Sequence, residues 1–97
     1  MFSFLFEEPY EIRKVARFTH EDLIVDTCKT ISAKKPFETA VQHPKYNKGR
    51  WVIVEEYRTK EQAQKGHDEW VKKLSQELPE KLEDVSSFWA SEWARGK

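Results

Sequence analysis

At 97 residues and 11.6 kDa the chain has room for one domain with one core. Lys and Arg number 17 and Asp and Glu 17, so the basic excess typical of general nucleic-acid binding is missing. A single cysteine, Cys28, excludes an internal disulfide, and no apolar run is long enough to span a bilayer.

Residues 1–9 read as an arm. Phe2, Phe4 and Phe6 alternate with Ser3 and Leu5, a period of two that suits an extended segment. So short a segment cannot form a core and must dock on its own domain or on a neighbour. With no basic n-region and with Glu7 and Glu8 following at once, it does not read as a signal peptide.

Residues 10–18 place Tyr10, Ile12, Ala16 and Phe18 against Glu11, Arg13 and Arg17, a half-exposed strand. Residues 19–22 turn the chain, and Leu23 to Cys28 forms a second strand, so an antiparallel hairpin is expected. Residues 29–35 are polar and basic. Phe37 to Val41 then reads as a short strand near a sheet edge, followed by a loop with Pro44, Asn47 and Gly49 as turn signals.

The best-specified stretch spans residues 50–75. Trp51-Val52-Ile53-Val54 is apolar on both faces, as a central strand would be. Thr59 and Gln62 fit a capping box. Ala63, His67, Trp70, Val71 and Leu74 then share one helix face, with Gly66 beside it for a close approach to the sheet. After Pro79, Leu82, Val85, Trp89 and Trp93 recur at spacings that suit a second helix over 80–95, and Asp84 or Ser86 is an alternative start for a shorter one.

No catalytic constellation emerges. Cys28, His20, His43 and His67 are scattered without a short ligand pair, so neither a metal nor another cofactor is expected, and His67 reads as a hydrogen-bonded core histidine. Cys28 reads as a buried thiol on a strand. Of the adjacent carboxylate pairs, Glu55 and Glu56 point to opposite faces; Glu55 is expected to share a face with Trp51 and Ile53, beside a Lys or Arg. There is no Gly-rich phosphate cradle.

Charge is unevenly spread. Lys29, Lys34, Lys35, Lys45, Lys48 and Arg50 face only Glu38 within residues 29–50, a local basic stretch between acidic ends. Exposed aromatic segments mark partner surfaces, and the ends supply Phe2, Phe4, Phe6, Phe88, Trp89 and Trp93. With Tyr46 and Asn47 of the loop, these are the candidate partner-binding residues.

The stretches Phe37-Glu38-Thr39-Ala40-Val41, His43-Pro44-x-Tyr46-Asn47-x-Gly49-x-Trp51-Val52-Ile53-Val54-Glu55-x-Tyr57 and Thr59-x-Glu61-x-Ala63-x-x-Gly66-His67-x-x-Trp70-Val71 resemble a group of small proteins encoded by tailed bacteriophages and prophages. The resemblance covers about a third of the chain and carries no catalytic motif. It implies a virion component or a protein of the host cytoplasm.

The expectation is therefore an α+β fold: a small antiparallel-rich sheet of about four strands, one main helix on a face and a second, C-terminal helix. Residues 1–9 are an arm, 10–78 the core domain and 79–97 a helical, Trp-rich tail. The expected function is non-enzymatic: a phage structural or assembly protein (head decoration, neck or tail accessory) that binds virion subunits or copies of itself, not nucleic acid, a membrane or a small-molecule substrate. A regulatory module that captures a host or viral protein is the alternative.

Overall fold

Val25, Thr27, Thr39 and Val41 are sealed from solvent on the two inner strands of a four-stranded antiparallel sheet. The computed structural model describes residues 9–32 and 34–86. Its elements are α1 (Tyr10–Arg13), β1 (Lys14–His20), β2 (Leu23–Lys29), β3 (Phe37–Gln42), β4 (Val52–Tyr57) and α2 (Lys60–Gln76). The strands lie in chain order, β1-β2-β3-β4, because antiparallel neighbours need only short connections. Helix α2 crosses one face, which makes the fold α+β.

The expected hairpin is present, with a tighter turn and a later start. His20 stands opposite Leu23, Phe18 opposite Val25 and Arg17 opposite Asp26, so only Glu21 and Asp22 form the loop. Residues 10–13 are a helical turn, correcting the strand expected from residue 10. Ile12 and Arg13 donate their N–H groups to the Pro9 carbonyl, which folds Tyr10 back over the sheet. The ladder shifts by one residue between Lys14 and Ala16, so Val15 bulges from this edge strand.

Two strand positions differ from expectation. β3 lies inside the sheet, between β2 and β4; Pro36 precedes the strand, so no ladder donor is lost within it. β4 is the edge strand, not a central one. It is apolar on both faces because Val52 and Val54 join the core under α2 while Ile53 points to the other side, half-buried. Its outer margin is met by the chain after α2, where Val85 N–H donates to the Ile53 carbonyl at 2.8 Å.

A bulge also rephases β4. Ala40 pairs with Ile53 but Thr39 pairs with Glu55, leaving Val54 as the extra residue. Glu55 thereby joins Val52 and Tyr57 on the helix side, so the expected shared face with Trp51 and Ile53 is not what forms.

The capping box is complete. Gln62 N–H donates to Thr59 Oγ1 (3.1 Å) and Thr59 N–H to Gln62 Oε1 (3.3 Å). Ala63, Gly66, His67 and Leu74 are buried along the expected face, with Trp70 and Val71 half-buried beside them. Gly66 is the point of closest approach, since a Cβ there would overlap the Tyr57 ring. Core residues Leu23, Val25, Val41, Tyr46, Val52, Val54 and Leu74 are joined at the periphery by Phe18, Leu78 and Leu82.

Residues 80–86 form no helix, correcting the start of the expected second one; the rest of that span lies outside the described residues. Leu82 packs on the core while Val85 is 40 % exposed, so the two do not share one buried face. Asp84 Oδ1 instead accepts from Ser86 N–H at 2.9 Å, a local side-chain turn.

Candidate functional site

Of the expected partner-binding residues, Phe2, Phe4, Phe6, Phe88, Trp89 and Trp93 lie outside the described residues, and Tyr46 and Asn47 lie in the β3–β4 loop. Tyr46 is buried, and its hydroxyl donates to the Pro79 carbonyl at 2.6 Å, tying this loop to the chain after α2. Asn47 is exposed. Its side chain donates to the Trp51 carbonyl at 3.2 Å. Asn47, Lys48 and Gly49 take φ values of +47°, +57° and +83°, a left-handed turn that glycine and asparagine accept and lysine resists.

The basic stretch does not make one patch. β3 runs through it, so Lys29, Lys34 and Lys35 stay at the end of the sheet where Phe37 pairs with Tyr57, while Lys45, Lys48 and Arg50 reach the opposite end. There Lys48 shares a cleft with Asp22 of the hairpin turn.

Two polar clusters that sequence reading did not assemble occupy the two faces of the sheet. Under α2, His67 Nδ1 lies 2.8 Å from Thr27 Oγ1, Thr27 Oγ1 lies 2.5 Å from Thr39 Oγ1, and Thr39 Oγ1 lies 2.9 Å from the Tyr57 hydroxyl. Tyr57 in turn donates to Glu55 Oε1 at 3.3 Å, and Trp70 Nε1 donates to the same oxygen at 2.8 Å. Glu55 thus pairs with an indole and a phenol rather than with the expected Lys or Arg. Burial lowers the His67 pKa, disfavouring the charged ring, and raises that of Tyr57. Glu55, Tyr57 and Gly66 line a cleft of about 340 Å³ whose rim includes Lys35, Arg58 and Lys65.

The helix-free face carries the second cluster. Asp26 is 6 % exposed, and its Oδ2 accepts from Tyr10 (2.6 Å) and from Arg17 Nε (2.7 Å) and Nη2 (2.5 Å). The guanidinium of Arg17 lies 5.3 Å from the Tyr10 ring centroid and 6.0 Å from that of Trp51. Burial and the Asp26 carboxylate push the Tyr10 phenol up to about 12. Beyond Asp26, the cross-strand row Cys28, Glu38, Glu56 follows. Burial pushes the Cys28 thiol up to about 12, with Asp26 and Glu38 adding to it. Glu38 is pushed up to about 7 by burial and by Glu56, Asp84 and Asp26.

A signal for the Asp26 cluster was present in the sequence. With a two-residue turn at Glu21-Asp22, Arg17 and Asp26 stand directly opposite with complementary charge. Thr27 and His67 offered no such signal, because 40 positions separate them.

Among the described residues no group of three His, Cys, Asp or Glu side chains is placed to hold a metal ion, and no helix is long and apolar enough to cross a membrane. The chain matches no protein-family model, no curated protein and no solved structure.

Proposed function

We propose that this chain is a non-enzymatic binding module, a structural or assembly component of a tailed-phage particle that joins neighbouring protein subunits. One observation carries the reading: both ends of the described fold come to the side of the sheet that α2 leaves uncovered. Tyr10 reaches Asp26 there, and at the other end Val85 binds the β4 margin while Asp84 lies within electrostatic reach of Glu38. That face bears half-buried Ile24, Ile53 and Trp51, and the sequence on either side of the described residues is rich in aromatic residues. A half-buried apolar and aromatic face of this kind suits protein association. The raised Cys28 pKa is the reverse of what a nucleophilic thiol needs, which favours a binding role on this face.

Sedimentation of the purified chain with assembled phage capsids or tails tests the proposal. Co-migration is expected, and it is expected to weaken when Trp89 and Trp93 are both changed to Ala in a variant whose circular dichroism is unchanged. Recovery of the wild-type chain at the top of the gradient, free of particles, overturns it. Stoichiometric capture of one host protein in place of particle binding would instead support a regulatory module.

A further inference from the structure

The hydrogen-bond chain that runs from buried His67 to exposed Glu55 takes its direction from the acceptor at its outer end. Glu55, as a carboxylate, only accepts, so the single proton of the Tyr57 hydroxyl is committed to it. Tyr57 then accepts from Thr39. The proton of Thr39 is spent on Tyr57, so Thr39 accepts from Thr27. Thr27 has no second proton, and its oxygen receives the last bond from the imidazole. Nδ1 of His67 must therefore carry a hydrogen.

We infer that Glu55, at the cleft, sets the tautomer of His67 beneath α2: the ring is held as the Nδ1–H form, with Nε2 left as an acceptor. The chain links β4, β3, β2 and α2 through side chains alone, and every bond in it depends on the same terminal acceptor. Trp70 holds that acceptor in place by donating to the same oxygen. A change that turns the end of the chain into a donor, or removes it, releases each hydroxyl to reverse. The imidazole is then free to move its proton to Nε2. The device is a polarity switch between a cleft on the surface and a ring inside the domain. The charged groups acting on that ring are Asp68 on its own helix and Asp26 on β2, and neither offers it a hydrogen bond.

Long-range ¹H–¹⁵N correlation spectra of the full chain at neutral pH read the tautomer directly. His20→Asn and His43→Asn each remove one signal and so identify that of His67. A protonated Nδ1 with an unprotonated Nε2 is expected, and an Nε2–H ring or an even mixture overturns the inference. In Glu55→Gln the indole N–H of Trp70 selects the amide carbonyl at this position, so the end of the chain still accepts and the tautomer should not change. Tyr57→Phe cuts the chain and should shift the population several-fold toward Nε2–H. An unchanged ring in that variant would mean that the tautomer is set locally. If Tyr57→Phe does not fold, Glu55→Met at the exposed end makes the same cut and is read in the same way.

Discussion

The ring and hydroxyl of Tyr57 lie so close to the α-carbon of Gly66 that no side chain fits between them. Gly→Ala in a helix interior ordinarily stabilises by about 1 kcal/mol. Here the methyl group would be driven into a buried ring that the Thr39 and Glu55 hydrogen bonds hold in place. Gly66→Ala is expected to destabilise by about 1–3 kcal/mol, as other overpacking changes do. Urea denaturation measures it, and a gain in stability would show that the helix can lift at no cost.

The hairpin turn offers the opposite result. Glu21 takes a φ of +54°, and its side chain, 83 % exposed, meets the neighbouring His20 imidazole at 3.9 Å. A non-glycine residue costs roughly 1–2 kcal/mol in this region, part of which the greater freedom of glycine in the unfolded chain returns. Glu21→Gly should raise stability by about 0.5–1 kcal/mol. Gly49→Ala, at φ +83°, should lower it by a similar amount, and thermal melts of the two variants should move in opposite directions.

Glu38 makes stability depend on pH. Its carboxyl rises from 4.5 in the unfolded chain to about 7 in the fold, so the folded state keeps a proton that the unfolded state has released. Its contribution is fully present below the unfolded value and is lost as pH rises toward 7 and beyond. Glu38→Gln should therefore gain about 1–3 kcal/mol over wild type at pH 8 and nothing at pH 4. Denaturation curves at the two pH values decide it; equal gains at both would mean that the effect is packing.

The Arg17–Asp26 pair should respond unequally to loss of its members. Removing Arg17 strands a carboxylate whose side chain is 8 % exposed, whereas the Arg17 side chain is 41 % exposed and can be rehydrated. Arg17→Met is expected to cost about 2–4 kcal/mol, and Asp26→Asn about half of that or less. Equal losses would show that the guanidinium is held more tightly than its exposure implies.

Cys28 should react slowly. A thiol raised to about 12 holds almost no thiolate at neutral pH. Labelling of the folded chain by a disulfide reagent at pH 7.5 should run at least tenfold slower than in denaturant, and a fast reaction would reopen a chemical role for this residue.

What the sequence made legible was local. Thr59 and Gln62 announce the start of α2 because the capping box is a matter of three residues, and Ala63, His67 and Leu74 follow from helix geometry alone. Strand order was less accessible. The apolar run Val52-Ile53-Val54 looks central because it is covered on both sides, yet coverage of the faces does not determine whether a strand has one neighbour or two. The face of Glu55 depended on the bulge at Val54, which no local pattern encodes. Trp70 shares the predicted helix face with His67 and Leu74 but is only half-buried, and its indole is spent on Glu55. The candidate site was the least legible part. Thr27 and Thr39 are ordinary strand residues until His67 and Tyr57 are brought against them.

The bulge at Val15 and the bond from Val85 to Ile53 have a joint effect on how this molecule meets others. On one margin the strand kinks and carries Lys14, Arg17 and His20; on the other, a neighbouring stretch of the same chain takes up a backbone acceptor. Side-by-side extension of the sheet, with its spacing of about 4.7 Å between strands, is disfavoured in both directions. With both margins of the sheet blunted, lengthening a ribbon is the costlier mode of contact, and the broad faces of the domain are the surfaces left open to stacking.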